Sequence, residues 1–176
     1  MHQRYLIALG SNQRHHRHGP PGRVLRAALE ALKSGGIEVA AESPIIGSAP
    51  LGPSLRRYAN AAAVVRTRLE PEVLLAALKD IETEFGRRSG GQRWSSRVLD
   101  LDIVLWSGGA FGSAVLTVPH PDFRSRNFVL APALAIVPNW RDPLSHLSIR
   151  QLHSRLTKRL TRPRPLPRGR PGGKGP

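Results

Sequence analysis

Two aspartates, Asp100 and Asp102, stand one residue apart within an apolar run. Side chains alternate between the faces of a strand, so both carboxylates share one face, with Cα atoms roughly 6.6 Å apart. The residues predicted to share the opposite, buried face are Leu99, Leu101, Ile103 and Leu105. Carboxylates this close repel each other, and a hard divalent cation such as Mg²⁺, which takes oxygen ligands and brings phosphate with it, would hold them together. The alternative is a solvated face on which arginines pair with the acids.

Basic side chains lie on both sides of this strand in the sequence. Those upstream are Arg87, Arg88, Arg93 and Arg97, and those downstream are His120, Arg124 and Arg126. A guanidinium group can bind two oxygens of one phosphate at once. This pattern therefore indicates a polyphosphate held by a cation on one side and by arginines on the other. The sequence has no Walker-type Gly-rich loop with a lysine, so phosphoryl chemistry would depend on metal, arginines and positioning. A generic basic face is the competing interpretation.

Three aromatic residues and one amide flank predicted loops and do not fit the apolar stripes of the helices: Tyr58, Asn60, Trp94 and Phe128. Aromatic faces stack on planar heterocycles, and an asparagine amide offers both a hydrogen-bond donor and an acceptor. In a chain with only nine aromatic residues, this placement indicates a flat ligand with polar edges. Ordinary core packing is the alternative, and it is stronger for Phe128 than for Trp94.

The elements that must position these residues follow from periodicity and turn signals. Strands are predicted over 5–9, 37–46, 58–67 and 98–106, with another ending near Val118, and helices over 24–33, 71–85, 127–136 and 147–160. This β-α-β-β-α-β order is typical of the ferredoxin-like arrangement in the α+β class, an antiparallel sheet with helices on one face. We therefore predict one domain over 1–160 and a disordered, basic tail over 161–176, where Pro, Arg and Gly dominate.

The composition excludes several classes of protein. The chain has 176 residues and no cysteine, which excludes disulfide frameworks, thiolate metal sites and cysteine nucleophiles. No apolar run is long enough to span a bilayer, so we expect a cytoplasmic protein with no membrane partner. The net charge is +15, of which residues 1–142 carry +6 and residues 143–176 carry +9. A basic balance favours nucleic acid as a partner, and this distribution limits such binding to the tail.

The motifs quoted so far occur, in the same order, in a known enzyme family. The segments that carry the resemblance are Leu9-Gly10-Ser11-Asn12, Ala49-Pro50-Leu51-Gly52, Tyr58-x-Asn60, Arg93-Trp94-x-x-Arg97-x-Leu99-Asp100-Leu101-Asp102-Ile103, Pro119-His120-Pro121 and Arg126-x-Phe128. Over roughly residues 4–140, the chain resembles 6-hydroxymethyl-7,8-dihydropterin pyrophosphokinase, a folate-pathway enzyme of bacteria. The resemblance implies a ferredoxin-like α+β fold and transfer of pyrophosphate from ATP to the dihydropterin hydroxymethyl group, with release of AMP and with two Mg²⁺ ions.

The resemblance also implies a role for each matching position. The residues implied in catalysis are Arg87, Arg93, Arg97, Asp100 and Asp102, the last two as metal ligands. Those implied in ATP binding are Glu82, Arg97, Ile103, Thr117, His120 and Arg126. Those implied in pterin binding are Ser48, Ala49, Leu51, Tyr58, Asn60, Trp94 and Phe128, with Phe128 stacking on the ring. We expect a monomer whose partners are these two small substrates.

The sequence departs from the family's pattern at several positions. Ser89 stands where the family usually has a second basic residue, and Arg88 lies just before it. A longer segment with three histidines, at positions 15, 16 and 18, replaces a short turn; it could bind a transition metal, but a solvated loop is the stronger interpretation. A catalytically degenerate relative and a basic nucleic-acid-binding module are the alternatives to an active enzyme.

Overall fold

The computed structural model describes residues 2–48, 58–86 and 98–160. The strands are β1 (Gln3–Ser11), β2 (Glu38–Glu42), β3 (Ile46–Ser48), β4 (Tyr58–Thr67), β5 (Asp100–Trp106), β6 (Phe111–Gly112) and β7 (Thr117–Val118). The helices are α1 (Pro21–Ser34), α2 (Pro71–Glu84), α3 (Asn127–Ile136) and α4 (Ile149–Leu160), with a 3₁₀ turn at Phe123–Ser125. The predicted tail over 161–176 lies outside the described residues.

The predicted elements agree with the structure except at two places. The strand 58–67 and the helix 127–136 are confirmed to the residue. The predicted strand 37–46 is two strands, β2 and β3, because Pro44 between them has no N–H to donate to a ladder. The strand predicted to end near Val118 is a pair of two-residue strands, β6 and β7, which form their own small sheet.

The strands β1 to β5 form one antiparallel sheet. Its order is β2-β4-β1-β5, so β1 and β4 are central, and β3 pairs with the beginning of β4. Helices from the intervening segments pack on this sheet, which confirms the ferredoxin-like α+β fold. In the ranges that the structure describes, every helix is too short or too polar to cross a lipid bilayer.

The first face of the sheet is covered by α1 and α2. Both helices begin with a proline, Pro21 and Pro71, which costs little because the first N–H groups of a helix have no intrahelical partner. Their apolar stripes meet the odd-numbered side chains of β1. The buried residues of this first core include Tyr5, Ile7, Leu9, Val24, Leu25, Leu32, Leu74, Leu78, Leu101 and Ile103.

The second face of the sheet is also covered at one end, so the prediction of helices on one face only is wrong. Leu6, Ala62 and Val104 project from three strands into a second core, where they meet Leu130 of α3 and Ile149 of α4. The sheet is apolar on both faces at this end, and such a surface must be removed from water. The C-terminal helices supply the cover.

A β-bulge in β5 changes which side chains share a face. Ile7 pairs with Ile103, but Leu6 pairs with Leu105, so Val104 is an extra residue in the strand. Ile103 lies in the first core, whereas Val104 and Leu105 lie in the second. The prediction that Leu105 shares a face with Ile103 is therefore wrong, because strict alternation ends at the bulge.

Candidate functional site

At the other end of the second face, β1 carries small residues and its neighbours carry polar ones. Gly10 pairs with Asn60 of β4 on one side and with Asp100 of β5 on the other. A Cβ atom at Gly10 would lie 3.8 Å from Asn60 Oδ1 and 4.0 Å from Asp100 Cβ. An amide and a carboxylate therefore face each other across a glycine, whose missing side chain leaves room above the centre of the sheet.

Asp100 and Asp102 share this face, as the alternation predicts, and both are half-buried. Burial raises the pKa of the Asp102 carboxyl and the charge of Asp100 raises it further, while His120, Lys79 and Arg126 act in the opposite direction. The repulsion expected from the sequence is therefore present. Two carboxylates fit Mg²⁺, because oxygen donors are the ligands it prefers and a bound cation would offset their repulsion.

The segment between β7 and α3 brings His120 and Arg126 to this end of β5. The backbone N–H of His120 donates to the Val104 carbonyl over 3.1 Å, and the ring Nδ1 accepts from the Asp122 N–H, also over 3.1 Å. An accepting Nδ1 places the ring proton on Nε2, which is then a donor. Arg126 forms an ion pair with Asp122 at 2.6 Å and lies over the Phe128 ring, with Cζ 5.9 Å from the ring centroid. Asp122 therefore orients both candidate phosphate ligands.

Glu82 reaches the acidic pair from the first face of the sheet. Its side chain is fully buried, and Oε1 accepts from the backbone N–H of Leu101 over 2.7 Å. Both carboxylate oxygens also accept from Lys79 Nζ, at 3.0 and 3.1 Å. Because Leu101 lies between Asp100 and Asp102, this contact ties α2 to the backbone of the acidic pair. The implied role of Glu82 in ATP binding stays a prediction.

Three candidate pterin-binding residues, Ser48, Tyr58 and Asn60, lie where β3 pairs with the beginning of β4. Ser48 pairs with Tyr58 across the two strands, and Asn60 Nδ2 donates to Ser48 Oγ over 2.8 Å. This bond fixes the orientation of the Asn60 amide, so that Oδ1 lies on the Gly10 side. Phe128, in the first turn of α3, is half-buried and packs against the second core.

The remaining candidates are Ile103 and Thr117, which the structure describes, and six residues that it does not. Ile103 is 2% exposed and lies in the first core, so its side chain points away from the acidic face. Thr117 is exposed in β7. The candidates that lie outside the described residues are Ala49, Leu51, Arg87, Arg93, Trp94 and Arg97.

The histidine segment after β1 is packed against α2, so its interpretation as a solvated loop is wrong for His15. His15 is buried, and its Nδ1 accepts from the N–H groups of Arg17 and His18 at 3.1 and 3.2 Å. The His18 ring stacks on Phe85 with centroids 4.8 Å apart. Burial lowers the pKa of His15, and His16, His18 and Arg17 lower it further. Within the described ranges, no group of three or more His, Cys, Asp or Glu side chains has the arrangement of a metal site.

Arg124 differs from the other basic residues that the sequence groups around the acidic pair. Its Nε and Nη2 donate to the two carboxylate oxygens of Asp142, each over 2.7 Å. Asp142 is fully buried and also accepts from the N–H groups of Leu144 and Ser145. This pair joins the 3₁₀ turn to the segment before α4, which makes Arg124 a structural residue.

Two residues of the site were not among the sequence-based candidates. Lys79 lies three residues before Glu82 on α2, and Asp122 lies four residues before Arg126. Both spacings place opposite charges within reach of each other in helical or turn-rich segments. The spacing of these charges was therefore visible in the sequence. The importance of Lys79 became clear only when the structure showed that its partner Glu82 is buried.

The fold and the site together define a ferredoxin-like domain with a candidate cation site on one face of its sheet. Residues 6–138 match the family model of 7,8-dihydro-6-hydroxymethylpterin-pyrophosphokinase. The chain belongs to this family.

Relatives in bacteria and a solved structure agree with this assignment. The chain is 39% identical over 145 residues to the 2-amino-4-hydroxy-6-hydroxymethyldihydropteridine pyrophosphokinase of Pseudomonas aeruginosa, covering 81% of this chain and 86% of that protein. It is 37% identical over 148 residues to the enzyme of the same name from Synechocystis sp., covering 84% and 73%. The HPPK-DHPS protein of Plasmodium falciparum has the same fold, with a TM-score of 0.72 at 12% identity over 91% of this chain, which spans 45% of that longer chain.

Proposed function

We propose that the protein transfers pyrophosphate from ATP to 6-hydroxymethyl-7,8-dihydropterin and releases AMP, a step of folate biosynthesis. The observation that carries the proposal is the placement of Asn60 and Asp100 on opposite sides of Gly10, in a chain that belongs to the pyrophosphokinase family. The amide suits the polar edge of a heterocycle. The carboxylates suit the metal that accompanies a triphosphate.

The acidic pair is the proposed metal site. Asp100 and Asp102 would hold Mg²⁺, and we propose that two ions bind together with ATP. Bound Mg²⁺ neutralises phosphate charge and lowers the pKa of a coordinated hydroxyl. The protein itself contributes two oxygen donors on one face of β5. The bulge and the contact with Glu82 define the path of the β5 backbone there.

The phosphate ligands are proposed to be His120 and Arg126. The Nε2–H of His120 and the guanidinium of Arg126 can donate charge-assisted hydrogen bonds to phosphate oxygens. The pterin hydroxyl oxygen forms a bond to the β-phosphorus of ATP while the bond from that phosphorus to the α,β-bridging oxygen breaks. The hydroxyl proton passes to water, the β- and γ-phosphates are transferred together, and AMP leaves with the α,β-bridging oxygen.

The pterin is proposed to lie over Gly10, between Asn60 and the acidic pair. Ser48 holds the Asn60 amide, and Tyr58 and Phe128 supply aromatic surface. By their resemblance to the family, Ala49, Leu51 and Trp94 are proposed to complete the pterin site, and Ile103 and Thr117 are proposed to belong to the ATP site. Arg87, Arg93 and Arg97 are proposed to act on the phosphates.

The remaining proposals concern the state of the protein in the cell. We propose a monomeric enzyme in the cytoplasm. Nucleic acid binding is proposed to depend on residues 161–176, which hold five basic residues and no acidic one.

The test is an assay of AMP release by the full-length protein with ATP and Mg²⁺, with and without the dihydropterin. We expect AMP and the pterin diphosphate in equal amounts, and no AMP without the pterin. A chain that ends at residue 160 should keep this activity and lose salt-dependent binding to nucleic acid. Absence of AMP with both substrates saturating would contradict the proposed function, and nucleotide binding without turnover would identify a degenerate relative.

A further inference from the structure

The outer side of β5 is closed by two contacts on either side of Asp102. Among the strands that the structure describes, β5 lies at the end of the order β2-β4-β1-β5 and has its ladder with β1, and a strand paired on one side leaves alternate N–H and C=O groups without ladder partners. The Leu101 N–H is one of these groups, and it donates to Glu82. The Val104 carbonyl is another, and it accepts from the His120 N–H. Leu101 is fully buried, so its N–H has a strong need for the Glu82 oxygen.

Lys79 lowers the cost of this contact for Glu82. A fully buried carboxylate without a counter-ion is strongly unfavourable. Lys79 lies one helical turn earlier, with its ammonium 3.0 Å from Glu82 Oε1 and its side chain 40% exposed. The ammonium therefore neutralises the buried carboxylate while it remains in contact with water.

The position of this ion pair matters because three carboxylates lie close together. Glu82 contacts the backbone between Asp100 and Asp102, and the charge of Lys79 acts on Asp102 as well. Without Lys79, Glu82 would add a third negative charge behind the acidic pair. With Lys79, Glu82 supplies a strong acceptor for the backbone and little net charge.

We propose that Glu82 is a positioning residue for the acidic pair, with Lys79 as its counter-ion: the Glu82 carboxylate holds the β5 backbone at Leu101 and so sets the separation of Asp100 and Asp102. The inference rests on the proposed metal site. It assigns Glu82 a role through the backbone and not through contact with ATP.

The first measurement is made on the metal-free, full-length chain. Amide hydrogen exchange at Leu101, followed by NMR, reports the bond to Glu82 directly. Glu82→Ala should raise the exchange rate of Leu101 at least tenfold, whereas Glu82→Gln, which keeps an acceptor oxygen, should leave it within about threefold of wild type. Glu84→Ala is the matched control, because Glu84 lies two residues further on the same helix and is exposed; it should change nothing.

The second measurement is the affinity for Mn²⁺, followed by electron paramagnetic resonance with α,β-methylene-ATP, in which the bond to be broken is not cleavable. Partners that orient metal ligands typically change affinity about 10- to 100-fold, and we expect a loss in this range for Glu82→Ala. Glu82→Gln should restore most of it. A double-mutant cycle tests the ion pair. Lys79→Met should lower the melting temperature much more in the wild-type background than in the Glu82→Gln background.

Two results would overturn the inference. One is wild-type affinity for Mn²⁺ and wild-type exchange at Leu101 in Glu82→Ala. The other is a loss of affinity in Glu82→Gln as large as in Glu82→Ala while Leu101 stays protected, since that would show direct contact of Glu82 with metal or nucleotide. If wild-type protein releases no AMP but Glu82→Ala still shows both effects, the proposed function fails and the positioning role stands.

Discussion

The two ends of the second sheet face have opposite characters, although the same three strands, β4, β1 and β5, build both. At one end Leu6 and Ala62 are buried under α3 and α4. At the other, four residues further along β1, Gly10 lies between Asn60 and Asp100. We call these the closed end and the open end. The closed end removes apolar surface from water and stabilises the fold, whereas the open end gathers carboxylates that repel each other.

This difference shows how the protein separates stability from the proposed chemistry. Fully burying one large apolar side chain contributes about 1.5–3 kcal/mol, and the closed end contains several such residues. At the open end the raised pKa of Asp102, due to its burial and then to Asp100, marks a site that costs stability in the absence of a cation. Substitutions at the two ends should therefore move stability and activity in different directions.

The largest expected effect is at the open end. Asp102→Asn removes one of the two proposed metal ligands, and AMP release should fall by about 10³-fold or more, since a metal ion contributes several kcal/mol to such a reaction. The melting temperature of the metal-free protein should stay the same or rise, because the repulsion with Asp100 is gone. Steady-state kinetics and calorimetry test both parts, and activity above a tenth of wild type would refute the assignment.

At the closed end, Leu130→Ala should have the opposite outcome. Leu130 is fully buried in the second core, and the cavity left by the substitution should lower the free energy of unfolding by about 2–5 kcal/mol. The KM for ATP should remain within about twofold of wild type at temperatures where the variant is folded. Urea unfolding gives the first quantity. A large change in KM with little change in stability would mean that the two ends are not independent.

The ion pair at the closed end should make stability depend on pH. Burial tends to raise the pKa of Asp142, but hydrogen bonds from Arg124, Ser145 and the Leu144 N–H lower it to about 2. A lowered pKa in the folded state means that the stabilisation is present above the ordinary value of 3.8 and is lost as the pH falls toward 2.

Asp142→Asn should therefore lower the free energy of unfolding by about 2–3 kcal/mol at pH 7 and by about half as much at pH 3. Urea titrations of wild type and variant at both pH values measure the difference. Asp80→Asn, which alters an exposed acid of α2, is the control for a general charge effect. A difference that does not change with pH would contradict this account of Asp142.

The smallest effect is expected from filling the gap in the open end. A Cβ at Gly10 makes only ordinary contacts, so Gly10→Ala should not lower stability, and Gly10→Val adds two methyl groups to a strand, where β-branched residues are favoured. Its methyl groups would occupy the space proposed for the pterin, and the KM for the pterin should rise about tenfold, the usual scale for a steric change of this size. Gly10→Ala should fall between wild type and Gly10→Val; an unchanged KM in both would place the pterin elsewhere.

Sequence alone predicted the open end better than the closed one. The acidic pair was predictable because alternation puts Asp100 and Asp102 on one face wherever the strand lies. The closed end was not, because apolar residues at 101, 103 and 105 resemble an uninterrupted strand, and only the pairing with β1 shows that Val104 is an extra residue. The position of α4 on the second face likewise depends on contacts between distant parts of the chain, which periodicity does not encode.

The same limit explains the errors about single side chains. Lys79 and Arg124 are equally basic in the sequence, yet one accompanies a buried carboxylate at the open end and the other a buried carboxylate at the closed end. What separates them is the burial of their partners, Glu82 and Asp142. Burial of an acid is a property of the tertiary structure. Charge patterns in the sequence therefore identified the basic residues but not the carboxylates with which they pair.

The bulge at Val104 has a consequence for encounters between copies of the protein. A straight outer strand with unused N–H and C=O groups can pair with a strand of another molecule and begin aggregation. On β5 the Leu101 N–H is taken by Glu82, the Val104 carbonyl is taken by His120, and the bulge twists the strand between them away from a regular ladder. The contacts that hold the acidic pair in place therefore also make this side of the sheet a poor template for intermolecular pairing.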